Sequence, residues 1–187
     1  LLSRGLFLPA TYGCVRFDHR STEEYLAAQY LIRLRSQGGM SSRQLCKVFF
    51  DERYDERVVI PSKIPIAAWT ALDDACEVVR RELLRREPEI LVLHGDVASL
   101  PLNERESLVR SFLRVYSKRN DNNLNLSVGE LRRLATGDMT FVVTECLSNS
   151  ELGEQPLLFL LKLVWLGGLS ECVELVRPYC FDPSKDE

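Results

Sequence analysis

The sequence predicts a mainly α-helical protein, in which a short N-terminal β-hairpin is followed by an irregular α-solenoid built from helix pairs. The first 17 residues contain two short β-branched and aromatic runs joined by a turn at Thr11–Gly13, which predicts the hairpin. From residue 65 onward, apolar patches of helical period alternate with capping residues and glycines, as in helical repeats. No strict internal repeat is visible, so the solenoid is expected to be irregular.

The hairpin bears on how the chain is divided. Because a lone hairpin is at best marginally stable, we expect these strands to need partners upstream of Leu1. The chain is therefore expected to be cut from a longer one. We divide it into the end of a domain (residues 1–37), a connector (38–64) and a helical arm (65–187).

The first helix is predicted to begin at Ser21, directly after the polar residues that end the second strand. Ser21 and Glu24 have the spacing of a capping box, and Gly38 can end the helix. The polar positions of this helix form one narrow stripe, so we expect its other sides to be enclosed by neighbours. His19 is thus expected at a strand-to-helix corner beside a buried helix.

Later elements are predicted from similar local signals. Ser41 or Ser42 can cap a short helix that runs to Phe50, and residues 51–56 are charged and expected to be exposed. Residues 58–60 are expected to form a brief strand or a buried extended segment, stopped by Pro61. Residues 120–125 predict a polar loop, and context favours a helix over residues 139–146. Further helix starts and ends are predicted at Asp73 or Asp74, Pro88, Gly95, Asn103/Glu106, Ser127/Glu130, Gly137, Pro156, Gly167, Ser170 and Pro178.

The composition bears on partners and compartment. The 187 residues include 24 basic and 27 acidic side chains, so there is no concentrated basic field of the kind that nucleic acid requires. No uncharged apolar run reaches about 18 residues, which predicts no membrane span. Six cysteines form no C-x-x-C pair and are expected to be buried thiols in a reducing, cytoplasmic compartment; they are Cys14, Cys46, Cys76, Cys146, Cys172 and Cys180.

The stretch around His19 resembles a known family. Phe17-x-His19-Arg20-Ser21-x-x-Glu24-Tyr25-Leu26-Ala27-Ala28 is similar to the end of the winged-helix domain in NACHT-type STAND NTPases, the nucleotide switches of innate immunity and of bacterial antiphage defence. The match covers about 35 residues, and it departs from the family at Thr22–Glu23, where an aromatic residue followed by Gln is frequent. The helices that follow resemble the HEAT-like arm of bacterial members.

The resemblance implies a role for the fragment within a larger protein. It would be a non-catalytic sensor region whose arm binds a protein ligand and relays that event to an upstream NTPase domain of the same chain. His19 would contact a phosphate of ADP, and the cofactors, ATP or ADP with magnesium, would be bound only by the full-length parent. On the residues alone, a histidine that bonds a backbone group at the corner is the simpler interpretation.

Other chemistry has little support in the sequence. No G-x-x-x-x-G-K-[ST] phosphate loop and no G-x-S-x-G elbow occur, so we expect no catalytic residues and no enzyme activity in this fragment. Cys14 and His19 lack further ligands for a zinc site. The alternative to the family reading is a free-standing helical-repeat scaffold for protein interactions. Trp69 and Trp165 are expected to fill gaps between helices, and either becomes a candidate binding residue if it is exposed.

Overall fold

A computed structural model of the chain describes residues 7–9, 11–53, 56–117, 126–148 and 152–180. These residues form ten α-helices, several short 3-10 turns and two small antiparallel hairpins, which confirms the mainly helical fold with its N-terminal hairpin. Contacts group the chain into two compact units, Leu1–Arg81 and Glu82–Glu187. The sequence-based division at residues 37 and 64 stays a prediction, and the predicted loop at 120–125 lies outside the described residues.

The first unit begins with the predicted hairpin. Strands β1 (Phe7–Pro9) and β2 (Val15–Phe17) pair antiparallel, with Phe7 opposite Phe17 and their rings 4.9 Å apart. The turn between them holds Tyr12 at a φ of 60°, a left-handed conformation that is unusual for a residue other than glycine. Within the described part of the chain, each of these strands pairs only with the other.

Helix α1 (Arg20–Ser36) differs from its prediction at its start. His19, and not Ser21, is the N-cap residue, and no side chain caps the helix. The carboxylate of Glu24 instead accepts a hydrogen bond from Nε of Arg20 at 2.8 Å. The predicted Ser21/Glu24 capping box is therefore wrong, because the N-cap lies two residues earlier and Glu24 pairs with Arg20 instead.

The expected enclosure of α1 is also wrong. Ala28 is the one residue of this helix that is fully buried, whereas Tyr25, Leu26 and Tyr30 are exposed. The predicted end of the helix is confirmed. Gly38 has a φ of 75°, and the N–H groups of Gly38 and Gly39 bond back to Arg35 and Leu34, as in a Schellman motif.

The rest of the first unit packs on α1. Helix α2 (Ser42–Phe49) begins with a capping box formed by Ser41 and Gln44. It is followed by a second hairpin, β3 (Phe50–Arg53) and β4 (Glu56–Val59), in which Phe50 lies opposite Val59. The sequence predicted the end of β4 but missed β3. Helix α3 (Ile64–Ala71) packs against α1, and Asp73 caps the 3-10 turn Asp74–Cys76 as predicted.

The boundary between the units falls within α4 (Glu77–Arg86). The second unit continues with α5 (Glu89–His94), α6 (Leu102–Tyr116), α7 (Val128–Leu134), α8 (Thr140–Leu147), α9 (Glu154–Gly167) and α10 (Val173–Cys180). Its core includes the stacked rings of Phe112 and Phe159, whose centroids are 4.7 Å apart. Helix α8 confirms the prediction that context overrides β-branched composition over residues 139–146.

The predicted caps of the second unit have mixed outcomes. The Ser127/Glu130 capping box is present, and Gly168 ends α9 in the left-handed conformation. The Asn103/Glu106 box is wrong because α6 already begins at Leu102 after Pro101. Ser170 lies inside a 3-10 turn and caps nothing, and α10 continues through Pro178 to Cys180.

The thiols and the helix lengths complete the description of the fold. Cys46, Cys76, Cys146 and Cys172 are buried as expected, but Cys14 is exposed directly after the turn that joins β1 and β2. In the part of the chain that the structure describes, no helix is both long and apolar enough to cross a membrane.

Candidate functional site

The candidate site is the corner between β2 and α1, where the structure places His19. The backbone of His19 is extended, with φ −114° and ψ 128°, and its carbonyl accepts the N–H groups of Thr22 and Glu23. This arrangement stops β2 and starts the first turn of α1 at one residue. The end of β2 and the start of α1 together fix the backbone position from which the His19 side chain extends.

The imidazole of His19 is open to solvent. Its side chain is 76% exposed, and its one described polar neighbour is Asp18, whose Oδ2 lies 3.6 Å from Nε2. The side chain makes no hydrogen bond to the backbone of α1. The simpler interpretation from the residues alone, a histidine that satisfies a backbone group at the corner, is not what the geometry shows.

The charges around His19 are mixed. Arg20 follows directly and is largely exposed, but its guanidinium is paired with Glu24. Asp18 adds a negative charge on the other side of the imidazole. The corner thus offers an imidazole that can donate to an anionic oxygen, beside an arginine that an anion would have to share with Glu24.

Exposed large apolar side chains lie along the same elements. We call them the N-terminal apolar residues, and they are Leu8, Tyr12, Val15, Tyr25, Leu26 and Tyr30. Tyr12 is fully exposed, and Tyr30 is 62% exposed. Large apolar side chains exposed on adjacent elements are the usual mark of an interaction surface. The apolar composition of α1 is visible in the sequence. The distribution of apolar residues around the helix does not show which of its sides are covered by another element.

Helix α1 is fastened to the rest of its unit at its far end. The guanidinium of Arg35 donates to the carbonyl oxygens of Ala75 and Met40 and to the hydroxyl of Ser42, at 3.2, 2.9 and 2.9 Å. Midway along the helix, the ring of Tyr25 meets Trp69 of α3 edge-on, with centroids 5.4 Å apart. A displacement of α3 would therefore also displace α1. His19 lies at the N-terminus of α1 and would move with it.

The other residues singled out in the sequence do not join this site. His94 ends the short helix α5 and belongs to the second unit, as does Trp165, which is 71% exposed on α9. Trp69 is half-buried, so it does fill a gap between helices, whereas Trp165 does not. Among the described residues, no group of three or more histidine, cysteine, aspartate or glutamate side chains is placed to hold a metal ion.

Comparisons with models of known families, with curated proteins and with solved structures found no match to this chain. The case for a function therefore rests on the residues and on the geometry just described.

Proposed function

We propose that this chain is a non-catalytic sensor and regulatory region of a NACHT-type STAND NTPase. Its helical arm would bind a protein ligand, and the first unit would relay that event to a nucleotide switch in an upstream domain of the same chain. ATP or ADP with magnesium would be bound by that domain. The resemblance around His19 supports the choice of family, and the exposed position of His19 supports the proposed mechanism.

One observation carries the proposal: His19 is exposed at the corner between β2 and α1, two elements that carry N-terminal apolar residues. A histidine with an exposed ring near apolar side chains suits an interface in which a second domain covers those side chains and brings a phosphate to the imidazole. In that position the ring would donate a hydrogen bond to a phosphate oxygen of ADP and so favour the closed state.

The relay would use α1 as a rigid connection. Arg35 fixes its C-terminal end to residues 40–42 and to the turn Asp74–Cys76, and Tyr25 couples it to α3. A ligand that displaced α3 would move the N-terminus of α1, and His19 would leave the phosphate. The energetic requirement is modest, since a shift of about 1.4 kcal/mol changes the ratio of two states tenfold.

The test uses the intact parent protein. Replacement of His19 by Ala (His19→Ala) is expected to lower the amount of ADP that copurifies with it at least severalfold and to raise its basal signalling. His94→Ala is the matched control, because that histidine is also exposed but lies in the second unit. Equal nucleotide content in the parent and in His19→Ala would contradict the role of the imidazole.

A second candidate function is a free-standing helical-repeat scaffold for protein interactions. The observation in its favour is the exposed stripe of Leu158 and Trp165, two turns apart on α9. The two functions differ in what they require of the first unit. The scaffold predicts that His19→Ala changes neither nucleotide content nor signalling, while Trp165→Ala weakens binding of the partner.

A further inference from the structure

A cleft of about 490 Å³ opens in the second unit between α6 and α8. Its α6 wall consists of Arg110, Leu113, Arg114 and Ser117, which share one helix face because they are three and four residues apart. The opposite wall comes from Glu145 and Cys146 of α8, and Leu152 closes one side. No sequence pattern predicted this cleft.

One of the two arginines in the cleft is already neutralised. Arg110 donates from both terminal nitrogens to the two carboxylate oxygens of Glu145, at 2.7 and 2.9 Å. This pairing raises the pKa of Arg110 and lowers the pKa of Glu145, chiefly through the hydrogen bonds. The pair therefore stays ionised over the physiological range and contributes no net charge.

The other arginine, Arg114, is held in place but has no acidic partner among the residues that the structure describes. Nη2 of Arg114 donates to the carbonyl oxygen of Leu84 at 3.2 Å and to the hydroxyl of Ser111 at 3.4 Å. Those are its hydrogen bonds within the described part of the chain, so the N–H groups on Nε and Nη1 remain available. Because a guanidinium carries five N–H donors in a planar fork, Arg114 can donate hydrogen bonds to a carboxylate without breaking either contact.

The remaining lining of the cleft is neutral. Leu113 and Leu152 offer aliphatic surface beside the arginine. Burial raises the pKa of the Cys146 thiol, so it remains protonated and adds no charge. The lining thus combines one available guanidinium, one closed ion pair and two leucines.

We propose that this cleft binds an acidic peptide segment of a protein ligand, in which a glutamate or aspartate pairs with Arg114 and a neighbouring aliphatic side chain packs on Leu113 and Leu152. The inference rests on the proposed function, since it identifies the chemistry by which the helical arm recognises its ligand. Charge complementarity carries it: among the described lining residues, Arg114 is the one positive charge that no acidic side chain compensates, and it lies next to apolar surface.

The same charges disfavour more highly charged ligands. A phosphate group or a nucleic-acid strand would bring two or more negative charges close to Glu145, which cannot move away without giving up its bidentate pair. A single carboxylate requires only the free edge of Arg114. The aliphatic walls then favour a side chain of a peptide over a small, fully hydrated anion.

The experiment follows the side-chain N–H signals of arginine in the ¹⁵N-labelled full chain during titration with the dipeptide acetyl-Leu-Glu-amide. The Nε–H signal of Arg114, assigned by its loss in Arg114→Gln, is expected to shift and saturate. Acetyl-Leu-Gln-amide and acetate are the comparison probes. Both are expected to bind at least tenfold more weakly, because the first lacks the charge and the second lacks the aliphatic contact.

The control variant is Arg177→Gln, which removes an exposed arginine of the same unit that pairs with Glu174 on α10. It should bind acetyl-Leu-Glu-amide as the parent chain does, whereas Arg114→Gln should not. Absence of saturable binding, equal binding in Arg114→Gln, or acetate binding as tight as that of the dipeptide would each overturn the proposal. His19→Ala leaves this cleft intact, so failure of the nucleotide role and failure of the peptide site can be told apart.

Discussion

At the scale of single residues, Arg105 in α6 makes a closely constrained polar contact. Its side chain is only 11% exposed, and its guanidinium pairs with the carboxylate of Asp138 while donating to the hydroxyl of Thr136 and the carbonyl oxygen of Leu100. A buried charge is tolerated when hydrogen bonds replace its hydration, and here three groups do so. Arg105 therefore ties the start of α6 to the turn before α8.

Loss of this arginine is expected to destabilise the second unit. Arg105→Met keeps the length of the aliphatic stem but removes every hydrogen bond, and we expect it to lower the free energy of unfolding by about 2 kcal/mol. Urea denaturation followed by circular dichroism measures the change. Arg110→Met is the matched control, because Arg110 lies on the same helix as Arg105 but forms an exposed ion pair, with Glu145 of α8. Its loss should shift the urea midpoint much less. Equal shifts would contradict the structural role of Arg105.

The same contact predicts a pH dependence. Hydrogen bonds from Arg105, and then from Thr136, lower the pKa of Asp138 below its ordinary value of 3.8. A depressed pKa in the folded state means that the stabilisation is complete above about pH 4 and is lost as the pH falls through the lowered value. The difference in stability between the parent chain and Asp138→Asn should thus be constant near neutrality and shrink in acid.

Burial makes the Cys76 thiol poorly reactive. Burial, and then the nearby charge of Asp73, raises the pKa of Cys76 to about 11, so the thiolate form is scarce at neutral pH. The sequence predicted such buried thiols from their apolar surroundings. Cys14 escaped that prediction because its neighbours in the sequence are apolar, yet the two-stranded hairpin that carries them has no layer above it among the described residues.

At the scale of elements, the helix caps show which helix starts can be predicted from the sequence and which cannot. Capping boxes were predicted at Ser21, Asn103 and Ser127, and a cap at Ser41 or Ser42. In the structure Ser41 and Ser127 form capping boxes, each with an extended backbone at the cap residue. At Asn103 the helix is already started by Pro101, whose fixed φ suits that position. Spacing alone cannot distinguish these cases.

The caps give a prediction with an internal control. Ser127→Ala removes the acceptor for the N–H of Glu130 and should lower the free energy of unfolding by about 1 kcal/mol. Asn103→Ala removes a side chain that caps nothing, so it should be nearly neutral. Both positions are exposed and lie in the second unit, and chemical denaturation of the two variants makes the comparison. A loss at Asn103 as large as that at Ser127 would contradict the observed helix starts.

Helix α1 shows the limit of periodicity. Its apolar residues extend around most of the helix, which in a completed core predicts burial on most sides. In the structure, α3 and the turn Asp74–Cys76 cover one side, and Tyr25, Leu26 and Tyr30 stay exposed. The sequence therefore identified residues that need a neighbour without identifying the neighbour. The same property makes α1 part of the candidate site.

At the scale of the whole molecule, the position of His19 could be predicted, but its surroundings could not. The strand-to-helix corner follows from local signals at Phe17 and the helix start, and the structure confirms it within one residue. The exposure of its ring, the ion pair of Arg20 with Glu24 and the contact of Tyr25 with Trp69 depend on tertiary packing. The cleft at Arg114 depends on residues more than 30 positions apart, which no local pattern brings together.

The two tryptophans provide a reporter for each unit. Trp69 belongs to the first unit and is half-buried against Tyr25, whereas Trp165 belongs to the second and is 71% exposed. Water around an indole shifts its emission to longer wavelength and admits a quencher. Trp69→Phe, which leaves Trp165 as the emitter, should emit at longer wavelength and be quenched by acrylamide severalfold more strongly than Trp165→Phe.

This comparison also tests the surface that each unit offers to a partner. If a partner covers the stripe of Leu158 and Trp165, quenching of Trp69→Phe should fall on binding while that of Trp165→Phe is unchanged. If binding instead displaces α3, the contact of Trp69 with Tyr25 changes, and the emission of Trp165→Phe should respond. Equal quenching of the two variants in the free chain would contradict the burial that distinguishes them, and with it the assignment of Trp165 to an open surface.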